Sequence, residues 1–224
     1  MVSGDHEVKV LDLRLEPEDA LAKILASFVP DLVGTTSMTT DAYQAKAVLR
    51  MARRMCPHAL TVVGGHMPTL SPQEFDEDYI DVIVQGEGEH TFRELVDRWD
   101  GQSASGDRSF GGIAGTRWTD PTGLRRIECK RSQAGDLDLL PPPDRSLIRA
   151  YQGRYFFTVV RPMASIFTSR GCSFDCNFCA IWEFYEFSKA QPEYFELMFT
   201  DRSVPSLNQD FHRLTFFHEL LTRL

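Results

Sequence analysis

Apolar and polar positions along the first hundred residues follow two different periods. Short apolar runs predict buried strands at Val8–Leu13, Asp31–Thr35, Leu60–Val63 and Val82–Val84. Apolar residues at helical spacing predict helices over Glu18–Phe28, over Ala42–Met55 and from about Thr91 to Trp99. Strands that alternate with helices are typical of an α/β fold with a doubly wound parallel sheet.

The pattern changes after residue 100. Residues 101–107 are rich in turn-forming types, and Ile113–Ile127 predicts a β-hairpin with Asp120–Gly123 as its turn. The prolines in Leu139–Asp144 predict an extended connector. We therefore divide the chain into an α/β domain (1–100), a hairpin and proline-rich linker (101–150), the start of a second domain (151–183) and a helical tail (184–224).

Composition narrows the class of protein. The 224 residues are 42% hydrophobic and 25% charged, which suits a soluble globular chain of one or two domains. No apolar run approaches the roughly 20 residues that span a bilayer. The net charge of −8 argues against nucleic-acid binding. We expect a cytoplasmic protein with neither a nucleic-acid nor a membrane partner.

Three cysteines within eight residues supply the candidate chemistry. The spacing of Cys172, Cys176 and Cys179 lets one loop surround one metal centre, and thiolates suit zinc and iron–sulfur clusters. A structural zinc site normally adds a second Cys/His pair at short spacing, and the sequence has none. A third interpretation is that the three thiols bind no metal. A [4Fe–4S] cluster held by three cysteines keeps one iron without a protein ligand, and that iron can bind a substrate or cofactor.

The cysteine loop, with Phe178 directly before the last cysteine, resembles the signature of radical S-adenosylmethionine (SAM) enzymes. The resemblance implies that the three cysteines hold a [4Fe–4S] cluster, that SAM binds the free iron and that Phe178 packs near the adenine. It also implies an external electron donor, whose electron cleaves SAM to a 5′-deoxyadenosyl radical. The implied reaction is methyl transfer or rearrangement of a small-molecule substrate, whose identity the sequence does not reveal.

Small and hydroxyl residues follow the predicted strands in the loops Thr35–Thr40, Gly64–Pro68 and Gln85–Glu89. Ligands of such sheets bind beyond the carboxyl ends of the strands. Together the loops resemble the cobalamin-binding domain that precedes the radical SAM barrel in a large class of enzymes. The resemblance implies that cobalamin is bound by Ser37, Thr39, Gly64, Gly65 and Gly86. His66 is either a polar loop residue or a further contact.

Two features depart from the family pattern. The Asp-x-His-x-x-Gly motif that supplies a histidine to cobalt is absent, and the sheet begins one strand and one helix short, which leaves the affinity for cobalamin open. A barrel needs on the order of 200 residues, whereas 45 follow Cys179. We therefore expect a truncated enzyme. The alternative is a non-catalytic cobalamin- or metal-binding module, or a gene-fusion fragment with a helical association tail.

The tail has a helical pattern of its own. Phe187–Phe199 weakly resembles the ligand-binding and dimerisation region of tetracycline-repressor-like regulators, although no helix-turn-helix accompanies it. The last predicted helix has an apolar face, which predicts a possible homodimer. That face comprises Phe211, Leu214, Phe217, Leu221 and Leu224.

Overall fold

The structure, a computed structural model, describes residues 6–102, 109–132, 137–157, 159–166 and 170. The chain divides into two compact units, Met1–Ile166 and Phe167–Leu224. The fold and the site described below belong to the first unit. The three clustered cysteines, Phe178 and the helical tail lie outside the described residues. The division of the chain into four segments stays a prediction.

Five strands form one mixed sheet in the order β1–β2–β3–β4–β5. The strands are β1 Leu32–Thr36, β2 Leu60–Gly64, β3 Val82–Val84, β4 Thr116–Thr119 and β5 Arg125–Ile127. The first three are parallel, and the last two are antiparallel to their neighbours. The α/β sheet is thereby confirmed. The predicted hairpin also forms, and it joins the sheet as β4 and β5.

Helices cover both faces of this sheet. They are α1 Ala20–Phe28, α2 Ala42–Met55, α3 His66–Leu70 and α4 Gly88–Gln102. On one face, which we call the α4 face, Leu95 of α4 packs in a cluster with Val62 and Val84. On the opposite face, the α2 face, Leu49 of α2 packs in a cluster with Val63 and Ile83. Helix α1 packs against α2 in a third buried cluster that contains Leu25 and Ala52. Among the helices of the described ranges, none is long and apolar enough to cross a membrane.

The strand predicted for Val8–Leu13 is wrong, because this segment has no regular structure and turns at its end. Asp12 ends the extended run, since its carbonyl accepts a hydrogen bond from the Leu15 N–H at 2.9 Å. The Asp12 carboxylate also accepts bonds from Arg14 Nε and Nη2 at 3.1 and 2.9 Å, and these hold the Asp12 pKa below its ordinary value. Val8, Val10 and Leu13 are each about two-fifths exposed, so the apolar alternation here is not that of a buried strand.

The N-terminal segment is bonded to residues far along the chain. Tyr151 Oη donates to Glu16 Oε1 at 2.6 Å, and Tyr155 Oη donates to Asp12 Oδ2 at 3.1 Å. The bond to Glu16 raises the Tyr151 pKa. Arg154 Nη2 adds a bond to the Leu15 carbonyl at 2.6 Å. These contacts fix residues 151–155 against residues 12–16.

Candidate functional site

A cleft of about 1070 Å³ opens on the α4 face beside β1. Its floor is made of strand residues and of glycines that follow the strands. The floor residues are Leu32, Gly34, Thr36, Val62, Gly64 and Val84. One wall is a stripe of α4, formed by Gly88, Glu89, Phe92, Val96, Trp99 and Asp100. The other wall is formed by residues 6–9 and 28–31.

Two glycines keep the cleft floor bare, although the fold does not require glycine at either position. A Cβ atom on Gly34 would lie 3.8 Å from Leu32 Cδ2 and 3.9 Å from Phe92 Cε2, which are ordinary contacts. A Cβ atom on Gly64 would lie 3.6 Å from Val84 Cβ. A Cβ atom at either position would therefore fit the fold and would take up space in the cleft. Glycine in a strand interior often marks such a close approach by a ligand.

Gly65 has a different role from its neighbour Gly64. Its φ angle is +104°, in the region that side-chain-bearing residues rarely adopt. A Cβ atom here would collide with Thr36 Oγ1 and would lie 2.8 Å from the Ser37 carbonyl oxygen. The loops after β1 and β2 can therefore approach each other only with glycine at position 65. Gly65 shapes the loop, whereas Gly64 leaves space in the cleft.

Backbone hydrogen bonds join these two loops. The Ser37 N–H donates to the Gly64 carbonyl at 2.8 Å, and the Met67 N–H donates to the Ser37 carbonyl at 3.0 Å. The Ser37 side chain is fully buried. Its hydroxyl lies 3.0 Å from the Met38 carbonyl oxygen and 3.2 Å from Asp41 Oδ1, so its hydrogen-bonding capacity is used inside the loop. Ser37 thus organises the loop behind the cleft and does not line it.

Thr69 links the second loop to the third. Its hydroxyl donates to the Gly65 carbonyl at 2.7 Å and accepts the Gly86 N–H at 2.9 Å. Gly86 has a φ of +76° and lines the cleft. A threonine hydroxyl commonly bonds the carbonyl four residues earlier, which gives a local signal for the first contact. The second contact spans 17 residues, and only the fold reveals it.

The predicted cofactor-binding residues divide into three groups. Gly64, Gly65 and Gly86 line the cleft. Ser37 is buried behind it, and Thr39 is an exposed residue at the start of the 3₁₀ turn Thr39–Asp41, outside the lining. His66, the N-terminal residue of α3, is exposed and also outside the lining. Phe178, Cys172, Cys176 and Cys179 lie outside the described residues, so their roles stay predictions.

The residues of α4 that line the cleft could not be recognised as such from the sequence. Phe92, Val96 and Trp99 fall at positions i, i+4 and i+7, which is the ordinary spacing of a core-facing helix stripe. Their apolar character therefore gave no sign of a cleft. A glycine inside a predicted strand was the available signal at Gly34, since it lowers strand stability without adding contacts.

The charged side chains of the cleft are set around its margins. Glu89 lies in the first turn of α4, near the carboxyl end of β3, and Asp31 precedes β1 at the opposite end. Lys9 Nζ lies 4.1 Å from the centre of the Phe28 ring and 3.5 Å from Glu7 Oε1. In the part of the chain that the structure describes, no three His, Cys, Asp or Glu side chains are grouped so as to hold a metal ion.

Residues 1–96 match the family model of the B12 binding domain. The chain is 35% identical over 184 residues to an uncharacterized methyltransferase of Pyrococcus horikoshii, a match that covers 80% of this chain and 38% of the relative. It is 31% identical over 170 residues to the anaerobic magnesium-protoporphyrin IX monomethyl ester cyclase of Rubrivivax gelatinosus, covering 75% of this chain and 30% of that protein.

A solved structure of OxsB, described as a cobalamin-dependent S-adenosylmethionine radical enzyme with aqua-cobalamin and S-adenosylmethionine bound, is also similar. The TM-score is 0.41 at 19% identity, with 50% of this chain and 15% of OxsB covered. The chain spans between 27% and 42% of the lengths of the curated relatives that it matches. These matches do not support the resemblance of the tail to tetracycline-repressor-like regulators.

Proposed function

We propose that residues 1–96, which match the family model of the B12 binding domain, bind cobalamin in the cleft on the α4 face. The observation that carries the proposal is the bare floor at Gly34 and Gly64. The fold has room for a Cβ atom at both positions, so a ligand that lies against the strands would explain the glycines. Glycine inside a strand lowers the stability of a sheet, so sheet stability alone does not explain these two residues.

The dimensions and chemistry of the cleft support this assignment. Its volume of about 1070 Å³ suits a large cofactor, since drug-sized ligands occupy sites of roughly 300–1,000 Å³. Cobalamin joins a broad corrin ring with polar amide groups to a narrower tail that ends in a flat aromatic base. The cleft likewise has polar margins and an apolar middle. The corrin would lie over the strand ends, with the tail along the floor.

The loops at the strand ends would support the corrin without offering it a large side chain. Gly86 brings backbone to the cleft surface, where nothing lies within 4 Å of the position of an added Cβ. Ser37 and Thr69 act indirectly in this proposal as positioning residues, because they fix the loops in relation to one another and do not line the cleft. Gly65 allows the loops to approach each other and also lines the cleft.

The proposed role of the second unit rests on its cysteine spacing and on the relatives. Cys172, Cys176 and Cys179 would hold a [4Fe–4S] cluster, to which SAM would bind with its adenine near Phe178. One further relative is named cytidylyl-2-hydroxyethylphosphonate methyltransferase, from Streptomyces wedmorensis, at 27% identity over 229 residues. We therefore propose that the whole protein is a cytoplasmic radical SAM enzyme. It would transfer a methyl group to, or rearrange, a small-molecule substrate, with an external electron donor.

The cobalamin proposal is tested by filling the floor of the cleft. Gly64→Val places two methyl groups in the cleft, while its Cβ makes only ordinary contacts. We expect cobalamin to bind at least tenfold more weakly, as measured by the change in its visible absorption on titration. Gly111→Val is the matched control, since the Gly111 Cβ would also make only ordinary contacts, at 3.8 Å, and Gly111 does not line the cleft. Equal affinity of both variants for cobalamin would refute the assignment.

The cluster proposal has its own test. Anaerobically reconstituted protein is expected to hold about four irons and four sulfides per chain, and Cys176→Ala is expected to lose them. Zinc in place of iron, or iron that the variant retains, would contradict the assignment. Cys129→Ala is the control for nonspecific thiol binding, because Cys129 is an exposed cysteine of the first unit.

A further inference from the structure

Strand β1 lies at one edge of the sheet. Within the described residues, β2 is its one strand partner. No residue of β1 is buried, whereas every residue of β2 except Gly64 is buried. One side of β1 is therefore uncovered in the part of the chain that the structure describes.

The backbone directions in β1 follow from the hydrogen bonds at its two ends. The carbonyl of Asp31 and the N–H of Ser37 both bond to residues of β2, at 2.9 and 2.8 Å. Because backbone groups alternate in direction along a strand, those of Leu32, Gly34 and Thr36 point away from β2. We call this side of the strand the outer edge of β1. It presents the donors and acceptors that a further strand would need.

The two edges of the sheet differ in length and in charge. Strand β5, at the opposite edge, has three residues, two of which are Arg125 and Arg126. Short and charged edge strands discourage pairing with other chains. Strand β1 has five residues, and none of them is charged. Its outer edge therefore has the features of a strand that is able to pair.

An apolar cavity of about 420 Å³ lies beside the outer edge of β1, on the α2 face. Among the described residues that line it, Lys9 alone is charged, and its Nζ atom lies 3.5 Å from Glu7 Oε1. A strand on the outer edge would direct every second side chain into this cavity. The apolar lining includes Leu21, Ile24, Leu25, Phe28, Val33 and Val48.

The N-terminal segment borders the same space. Val8 and Lys9 line both the cavity and the cleft of the α4 face, and so do Leu32 and Gly34 of β1. Open space therefore borders this segment and β1 on both faces of the sheet. An extended chain in this space would have a backbone partner in β1 and an apolar neighbour in Val10, which lines the cavity and is 42% exposed.

We propose that the outer edge of β1 binds an extended segment of another polypeptide chain, which joins the sheet as an added strand. The backbone of this segment would bond to Leu32 and Gly34, while its alternate apolar side chains would fill the cavity. The segment would be uncharged over about the five residues that β1 offers, since burial of a charge against this lining weakens binding. The inference goes beyond the proposed function, because it concerns a protein partner and not a cofactor.

The probe is a fluorescent peptide with the sequence of β2, Leu60–Gly64, and a lysine at each end. This sequence already pairs with the other side of β1 in the fold. Its dissociation constant is measured by fluorescence anisotropy on the full chain without cobalamin, and a value in the micromolar range is expected. The same peptide with proline in place of its central valine lacks a backbone donor and should bind at least tenfold more weakly.

Two variants of the protein test where the peptide binds. Gly34→Pro removes an N–H that points away from β2, so the bonds between β1 and β2 remain, and edge strands tolerate proline at such positions. Val10→Asp introduces a charge at the cavity from a segment without regular structure. Each should weaken the peptide at least tenfold. Leu124→Asp is the matched control, because Leu124 is also an exposed apolar residue but does not line the cavity, and it should change the constant less than twofold.

Hydrogen exchange on the unaltered chain locates the peptide. Amides of residues 32–36 should exchange more slowly when the peptide is bound, and amides of the hairpin should be unaffected. Circular dichroism and thermal unfolding check that each variant folds. The exchange measurement and the comparison of the two peptides decide the proposal even if a variant does not fold.

Three outcomes would overturn the proposal. The first is absence of peptide binding by the unaltered chain, and the second is equal affinity for the two peptides. The third is a dimer, detected by sedimentation without peptide, that Gly34→Pro converts to a monomer, because a second copy of this chain would then occupy the outer edge. These titrations contain no corrinoid, so none of the outcomes bears on the cobalamin proposal.

Discussion

The two ends of the same parallel strands are built in contrasting ways. At the amino ends, Arg53 Nη2 lies 2.5 Å from Asp81 Oδ2, and the same carboxylate oxygen accepts the Thr61 N–H at 2.8 Å. At the carboxyl ends, the loops are joined by backbone bonds and by the single hydroxyl of Thr69. At the amino ends, charged and polar groups bind one another in a compact network. At the carboxyl ends, glycines leave the backbone open to a ligand.

The hairpin strengthens the amino-end network. Arg117 and Arg125 of β4 and β5 both form ion pairs with Asp76, and Arg125 Nη2 also donates to the Glu77 carbonyl at 3.2 Å. Burial lowers the Arg125 pKa, and the nearby Asp76 carboxylate counteracts this effect only in part. Stability and ligand binding are thus assigned to opposite ends of the sheet. Substitutions at the two ends should therefore affect different measurements.

The largest effect is expected from Gly65→Ala. The added Cβ would collide with Thr36 and require φ of +104° from alanine, which we expect to cost about 3 kcal/mol of unfolding free energy. Cobalamin affinity should fall as well, because the loops would separate. Urea unfolding measures the first effect and cobalamin titration the second. Gly64→Ala is the control and should cost less than about 1 kcal/mol. Similar losses of unfolding free energy in Gly65→Ala and Gly64→Ala would contradict the different roles assigned to these two glycines.

Asp81→Ala tests whether the amino ends of the strands contribute to stability but not to ligand binding. It leaves Arg53 and the Thr61 N–H without the carboxylate that they share, and it should cost about 2 kcal/mol, because the pair is only partly buried. The dissociation constant for cobalamin should stay within about twofold of the unaltered value, since Asp81 does not line the cleft. A large loss of affinity in a folded variant would contradict the separation of the two ends.

Thr69→Val tests the link between the second and third loops. The variant keeps the shape of the side chain and removes its bonds to Gly65 and Gly86, at an expected cost of about 1–2 kcal/mol. Cobalamin should bind several-fold more weakly, because Gly86 would lose its support. The exposed Thr40→Val is the control. Unchanged stability and affinity in Thr69→Val would show that the bridge is unimportant.

The smallest effect concerns the hairpin turn and depends on pH. Asp120 accepts bonds from Thr122 Oγ1, Arg126 Nε and the Leu124 N–H, and these hold its pKa well below the ordinary value. A depressed pKa in the folded state adds stability that is complete above the unfolded value of about 3.9 and is lost as the pH falls below it. The stability difference between the unaltered chain and Asp120→Asn should therefore be constant from pH 7 to about 5 and shrink below pH 4. A difference that grows on acidification would contradict this sign.

The periodic elements of the fold could be predicted from sequence because their signals are local. Helix α2 begins at Ala42 and ends at Met55 as its apolar spacing predicts, and the hairpin turn follows from Asp120–Gly123. The strand prediction for Val8–Leu13 was wrong because an apolar alternation does not reveal whether the segment pairs with a neighbouring strand. The conformation of this segment depends on Asp12, whose hydrogen bond to Tyr155 spans 143 residues of sequence.

The site could be predicted only in part, for a related reason. Glycines after strands are a local signal, and Gly64, Gly65 and Gly86, which this signal indicates, line the cleft. Their contact with a cofactor stays a prediction. The opposite wall could not be found this way, since Phe92 and Val96 have the spacing of ordinary core residues. Which face of α4 borders open space depends on the position of β1, and that is a property of the assembled sheet.

Hydrogen exchange with and without cobalamin tests the central claim most directly. If the cofactor lies over the strand ends and along the floor of the cleft, amides of peptides that cover residues 34–37, 62–69 and 84–96 should exchange more slowly in its presence. Amides of the hairpin, residues 116–127, should be unaffected. Absence of any change at saturating cobalamin, or protection confined to the hairpin, would contradict the account.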